Sequence, residues 1–297
     1  MSSNVVRKIG KDEGARLHRD LQAAGFEFRD QQHAQFSARG PGVTVVLYTS
    51  GKLVVQGKGA LDFAASYLGG ADDPIAAPAD PRDEVDEPII GTDESGKGDY
   101  FGPLVVAAVL LRPEDVEVLR TLGVRDSKAV SDKAAVRIAE EITSGYGDRV
   151  AVVSIPPRRY NELRGKFGNN LNRLLAWAHA RAIEDVLEHH DCGRALSDKF
   201  GNEKLILNAL MERGRGLKLD QRVRAEAHPA VAAASIVARA RFLRDLERLG
   251  FDVGEKLPKG AGTPVDQAAR RIFRSGGMDA LGGVAKLHFR TTEKARG

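Results

Sequence analysis

The sequence predicts a two-part protein, a small α+β domain followed by a larger α/β domain. Three observations carry that expectation: an acidic, proline-rich stretch that divides the chain, short alternating apolar runs before it, and strand–helix alternation after it. The dividing stretch, ADDPIAAPADPRDEVDEP at residues 71–88, holds four of the twelve prolines and one Arg against seven acids, a net charge of −6. That composition reads as a solvated interdomain linker. The expected domains are therefore 1–70 and 89–297, joined by the linker 71–88.

Ahead of the linker, Lys11–Gly25 has Asp12 as an N-cap, Leu17, Leu21 and Ala24 at helical spacing and Gly25 as a stop, which predicts one amphipathic helix. Alternating runs follow at Phe26–Arg29, Ala34–Ala38, Val43–Tyr48 and Leu53–Gln56, punctuated by Pro41-Gly42 and Ser50-Gly51. They predict an antiparallel sheet, and Ala60–Leu68 predicts a second helix. This part has no acidic or histidine cluster, so binding is its expected role. After the linker, Ile89–Thr92 and Leu104–Leu111 are continuous apolar, β-branched runs, as in strands buried on both faces. Helical spacing dominates Ser131–Ser144, Asn170–His189 and Ala230–Leu249, with strand-like Val150–Ile155 and Arg194–Leu196 between them.

Composition narrows the function. A chain of 297 residues with 42% hydrophobic content has length enough for two cores, and no apolar run approaches a membrane span of roughly 20 residues. The opening MSSNVVRKIGKDEG has no apolar stretch of the signal-peptide kind, so the cytoplasm is the expected location. A lone cysteine, Cys192, excludes an internal disulfide and a thiolate cluster, so a metal would sit on oxygen or imidazole. The net charge of +4 hints at a polyanion only weakly, but its distribution says more. Residues 1–70 carry 9 basic against 6 acidic side chains and residues 89–297 carry 35 against 28, so two basic blocks flank the acidic linker.

The chemistry centres on GTDESGKGDYFGP, Gly91 to Pro103, where adjacent carboxylates end a buried strand and Gly96-Lys97-Gly98 follows. Adjacent buried acids raise each other's pKa, and a divalent ion relieves the cost. The plainer alternative places Asp93 and Glu94 in a loop, capping it or pairing with Lys97. The bracketing glycines argue for close backbone approach to a phosphate or ribose instead. Asp198 ends an apolar stretch, and Glu226 precedes a small-residue helix start whose dipole favours a carboxylate. Either alone reads as a surface acid or a cap; with Asp93 and Glu94 they make four oxygen donors, a set suited to Mg²⁺ or Mn²⁺ and to two-metal phosphodiester hydrolysis. Lys97, Lys128 and Arg125 are candidate phosphate contacts. His179 is read first as a hydrogen-bonded core histidine, with metal ligation the alternative. His228 is a candidate for shuttling a proton or steering the leaving product, and His288 is taken as structural.

These segments resemble the ribonuclease HIII family of the type 2 ribonuclease H group. The likeness runs through TDESGKGDYFGP at 92–103, RDSK at 125–128, NNLNRLLAWAHARAI at 169–183, SDKFG at 197–201, AEAHPAVAAASIVAR at 225–239, LPKGAG at 257–262 and AKLHFRTT at 285–292. It implies a ribonuclease H-like catalytic domain, a central mixed β-sheet flanked by helices. It also implies that Asp93, Glu94, Asp198 and Glu226 bind two Mg²⁺ or Mn²⁺ ions, and that the turn Ser95, Gly96, Lys97 and Gly98 contacts ribose 2′-hydroxyls. The partner implied is an RNA–DNA hybrid duplex, whose RNA strand is cut to 5′-phosphate and 3′-hydroxyl ends by a protein expected to be monomeric. VTVVLYTSGKLVVQGKGA at 43–60 resembles the TATA-binding-protein-like substrate domain of that family, which would bring Lys52 and Lys58 to the backbone; a solvated sheet face is the alternative. Lys199 stands where Gln is the commoner family residue. Lys97 in the turn, with Tyr100, Tyr146 and Tyr160 the tyrosines after the linker, favours runs of ribonucleotides over a junction ribonuclease that removes single ones. A catalytically silent hybrid-binding protein is the rival of another class, disfavoured because all four acids are present.

Overall fold

The computed structural model describes residues 3–31, 33–68, 83–124 and 130–297. It has two compact units, Met1–Asp80 and Pro81–Gly297. Most of the expected linker, together with Arg125 and Lys128, lies outside the described residues.

The first unit contains β1 (Ser3–Lys8), α1 (Lys11–Ala23), β2 (Glu27–Arg29), β3 (Ala34–Gly40), β4 (Val43–Tyr48), β5 (Lys52–Gly57) and α2 (Ala60–Tyr67). Its sheet is antiparallel in the order β1-β5-β4-β3-β2. Strand alternation sorts the side chains: Val45, Leu47, Leu53 and Val55 pack with Leu17, Leu21 and Phe63 in one core, and Thr44, Tyr48, Lys52 and Gln56 are left more open. The sequence missed β1, whose SNVVRK is too short and polar to stand out. Gly10 is the N-cap of α1, so Asp12 lies inside the first turn, where the helix dipole still favours its charge.

The second unit contains β6 (Ile89–Ser95), β7 (Leu104–Leu111), α3 (Asp115–Leu122), α4 (Asp132–Tyr146), β8 (Val150–Ile155), α5 (Pro157–Lys166), α6 (Leu171–Leu187), β9 (Arg194–Asp198) and α7 (Lys204–Leu207). Then come β10 (Lys218–Arg222), α8 (Pro229–Asp252), α9 (Thr263–Val284) and α10 (Arg290–Arg296). The sheet is mixed, in the order β10-β9-β6-β7-β8, with β10, β9 and β6 mutually parallel and β7 antiparallel to both of its neighbours, β6 and β8. Two cores cover its faces. Val105, Ala107 and Val109 of β7 enter the core shared with α4 and α8, while Val106, Ala108 and Leu110 enter the one shared with α6. This two-sided burial is why β7 reads LVVAAVLL without polar alternation. No helix among the described residues is long and apolar enough to cross a membrane.

Candidate active site

At Gly91 a Cβ would lie 2.1 Å from the carbonyl carbon of Ala230, so the glycine and the alanine-rich start of α8 let helix and strand pack backbone to backbone. Close packing brings α8 to the end of β6, where Asp93 takes a hydrogen bond from Ser235 of that helix. β6 and β9 pair in parallel with Thr92 opposite Ser197, so Asp93 and Asp198 are the next residues on adjoining strands. Parallel neighbours lie about 5 Å apart with facing side chains on the same side, which sets both acids at the carboxyl ends of parallel strands. Asp198 Oδ1 accepts the amide of Ala225 at 3.2 Å, tying it to the 3₁₀ turn Ala225–Ala227 that carries Glu226. Arg224, at φ 61°, makes the left-handed step that enters this turn.

Asp93 and Glu94 point to opposite faces of β6, and their proton affinities are pushed in opposite directions. Burial, then the charge of Glu94 and that of Asp198, push Asp93 up to about 7 against the Ser235 hydrogen bond. Burial would raise Glu94 too, but the hydrogen bond and charge of His179 and the nearby Lys97 outweigh it and bring Glu94 down to about 2. The sequence argument that each acid raises the other therefore holds for Asp93 alone. Lys97 Nζ donates to Glu94 Oε1 at 3.2 Å, so one part of the plainer alternative, the Lys97 pairing, is present although both acids lie in a strand.

His179, fully buried on α6, bridges Thr92 Oγ1 at 2.9 Å and Glu94 Oε2 at 3.2 Å and stacks on Phe200. His228 is the N-cap of α8: its Nδ1 accepts the Ala230 amide, and burial followed by the charges of Arg222 and Arg194 pushes it down to about 4. With its Nδ1 occupied by a backbone amide, this buried imidazole serves as the cap of α8. His288 is exposed and tilts against the rings of Tyr160 and Phe289.

The turn after β6 is clamped from segments the sequence did not connect with it. Gly96, at φ +85°, leaves no room for a side chain, since a Cβ would sit 2.2 Å from the Pro103 carbonyl oxygen. Gly98 has open space there instead. Gly260 of LPKGAG donates its amide to Asp99 Oδ1 at 2.6 Å and accepts the Tyr100 amide. Fully buried Lys286 of AKLHFRTT donates to the carbonyls of Asp99, Phe101 and Gly102. Only the apolar setting of KLHF hinted at that lysine. Tyr100, Tyr146 and Tyr160 are all buried, and Lys199 is exposed.

In the first unit Lys52 lines an open concavity of about 760 Å³ with Tyr48, Thr49, Val54 and Gln56. Lys58 follows the opposite end of β5, about 20 Å away by strand rise, so the two lysines do not form one cluster.

No three His, Cys, Asp or Glu side chains among the described residues are gathered closely enough to enclose a metal ion. The fit to a cation rests on donor chemistry: carboxylate oxygens without thiolates, and an Asp93 whose charge is disfavoured as it stands.

Comparison with known proteins places this arrangement. Residues 90–292 match the family model described as Ribonuclease HII, and residues 4–75 match one described as a domain of unknown function, DUF3378. The solved structure titled "Crystal structure of Bst-RNase HIII in complex with Mn2+" superposes with a TM-score of 0.69 at 33% identity, covering 99% of this chain and 98% of the other. The second unit is thus a ribonuclease H-like domain. Ribonuclease HIII of Protochlamydia amoebophila is 40% identical over 95% of this chain and 93% of its own length. That of Chlamydia caviae is 39% identical over 98% and 97%. The chain belongs to the ribonuclease HIII family and is an endoribonuclease of the ribonuclease H class.

Proposed function

We propose that the protein cuts the RNA strand of RNA–DNA hybrids, leaving 5′-phosphate and 3′-hydroxyl ends, and that Asp93, Glu94, Asp198 and Glu226 hold the divalent ions the reaction uses. The observation that carries this reading is Asp93, a carboxyl pushed up to about 7 beside two other acids at the ends of parallel strands. A cation there would relieve the burial and repulsion that disfavour its charge. Hard oxygen donors suit Mg²⁺ or Mn²⁺, and a relative was crystallised with Mn²⁺. Two such ions, when bound, supply the acidity that activates the attacking water and the charge that stabilises the leaving 3′ oxygen.

The chain's own residues do the rest. His179 and Lys97 keep Glu94 anionic, the Ala225 amide orients Asp198, and Ser235 fixes Asp93. No side-chain nucleophile is needed. Around Gly98 the backbone is open to an approaching strand, so the turn Ser95–Gly98 can meet a ribose 2′-hydroxyl, the group that separates RNA from DNA. Arg125 and Lys128 are taken as phosphate contacts. In this reading residues 1–70 are a substrate-binding domain in which Lys52 and Lys58 reach the duplex backbone at separate points. Residues 71–88 are a linker, and residues 89–297 are a catalytic domain of a cytoplasmic monomer.

Tyr100, Tyr146 and Tyr160 are all buried, so none of the tyrosines after the linker is exposed to meet a lone ribonucleotide, which supports cutting within runs. A substrate panel tests this. The protein should cut a duplex with four or more consecutive ribonucleotides, and leave single-stranded RNA and a one-ribonucleotide duplex intact. Efficient cutting of the one-ribonucleotide duplex would favour the junction enzyme instead.

A further inference from the structure

The segment from residue 194 to residue 224, which carries β9 and the edge strand β10, holds eight Lys and Arg against four acids. Two of those arginines are covered by carboxylates from elsewhere. Asp83 pairs with Arg222 at 3.2 Å, and Glu87 and Asp86 pair with Arg194 at 2.7 and 3.5 Å. Between these contacts Val85 packs, half-buried, against the core on the α8 face, and the Pro88 carbonyl accepts the Cys192 thiol. The end of the acidic stretch is thus a strap laid along β9 and β10.

Its register is informative. Arg222 lies opposite Asp198 in the parallel ladder, so both side chains leave the same face of the sheet. Arg194 is four residues before Asp198 on β9, about 13 Å along the strand and on that face too. Asp83 and Glu87 are also four residues apart, and they repeat this spacing in the opposite direction. Two anionic segments thus cover guanidinium groups on the face of the sheet that carries Asp198.

We infer that Arg222 and Arg194 form a phosphodiester track leading to Asp198, and that Asp83, Asp86 and Glu87 occupy it as built-in phosphate mimics, to be exchanged for the phosphates of the bound duplex. This rests on the hybrid-cutting reading above. Exchange is energetically accessible, because the pairs of Arg194 with Glu87 and Asp86 are solvent-exposed and such pairs contribute only about 0–1 kcal/mol each, while the part-buried Asp83–Arg222 pair is replaced by the charge-assisted, bidentate hydrogen bonds that arginine makes to phosphate. Val85 and Pro88 can stay seated while the carboxylates let go. The strap then weakens loose, non-specific binding, and only a duplex held at other points as well displaces it.

The test is a mutant cycle on the full chain, reading anisotropy of a fluorescein-labelled RNA–DNA hybrid in EDTA across a KCl series. Asp83→Asn/Asp86→Asn/Glu87→Gln should tighten binding about tenfold and steepen the slope of log affinity against log salt by roughly 2, one unit for each arginine the strap carboxylates no longer pair. Arg194→Gln/Arg222→Gln should weaken binding about tenfold, and in that background neutralising the strap should change affinity less than about twofold. Thermal melts verify that each variant is folded, and the single substitution Arg222→Gln gives the same cycle if the pair is not. Equal tightening in both backgrounds would mean a general charge effect and overturn the inference, as would no tightening at all. Failure of the wild type to bind hybrid would remove the parent reading and this inference with it. A wild type that binds and cuts hybrid while strap neutralisation changes nothing would remove this inference alone.

Discussion

Asp93 and Glu94 are neighbours in sequence with opposite proton affinities, because a β-strand sends successive side chains to opposite faces. The pair itself was legible in the sequence, but the difference between its members was not. It depends on Ser235 and His179, 142 and 85 residues away along the chain. His179 anchors Glu94 and stacks on Phe200, so His179→Ala should lower the cleavage rate about 10–100-fold while leaving hybrid affinity in EDTA within about twofold. An equal loss of both would mean that the histidine supports the fold rather than the acid. Tyr160 gives a pH prediction away from the site. Its buried hydroxyl has no hydrogen-bond partner, and burial pushes the phenol from 10.0 up to about 12. Between those values the unfolded chain sheds a proton that the folded chain keeps, so stability falls as pH rises from 10 to 12 and levels off above. The loss is about 2–3 kcal/mol. Tyr160→Phe should remove that share of the decline, leaving the smaller part from the likewise raised Tyr100 and Tyr146, and be neutral or slightly stabilising near pH 7 in urea unfolding.

At the scale of elements, the sheet that carries the acids was readable wherever its strands are apolar. β6, β7, β8 and the body of β9 stand out because both faces of the sheet are covered by helices. β10 did not, since KLDQR is an edge strand with a polar pattern, and the expected β9 stopped at Leu196, short of Asp198. Helix α9 was hidden by Gly276 and Gly277, whose non-helical backbone kinks it. The segments LPKGAG and AKLHFRTT carried a resemblance but no readable role. Their function as clamps on the turn emerges only when Gly260 and Lys286 meet Asp99 to Gly102. The joint between β6 and α8 is the element contact on which the site depends. Gly91→Ala should force the two apart, costing about 2 kcal/mol or more in urea unfolding and cutting activity sharply. A fully stable and active Gly91→Ala protein would show that the close packing is not needed.

At the scale of the whole molecule, the proposed reading separates recognition from chemistry. Each unit has its own hydrophobic core, and the acids reside in the second, so the first can contribute affinity without contributing to the bond-breaking step. Deleting residues 1–70 should weaken hybrid binding much more than it slows turnover at saturating substrate, and equal losses in the two would contradict that division. The charge plan was visible in the sequence as two basic blocks around an acidic stretch. What composition could not reveal is that the end of that stretch pairs with Arg222 and Arg194.

In the proposed function a carboxylate site in the second unit cuts the RNA of a hybrid with divalent ions. The most direct test is cleavage of a labelled RNA–DNA hybrid by wild type and Asp93→Asn, with Mg²⁺, with Mn²⁺ and with EDTA. Wild type should cut with a divalent ion and not in EDTA, and Asp93→Asn should lose at least about 10³-fold with hybrid binding retained. A wild type that binds the hybrid but leaves it intact with either ion, or an Asp93→Asn protein that cuts at the wild-type rate, would contradict the proposed function.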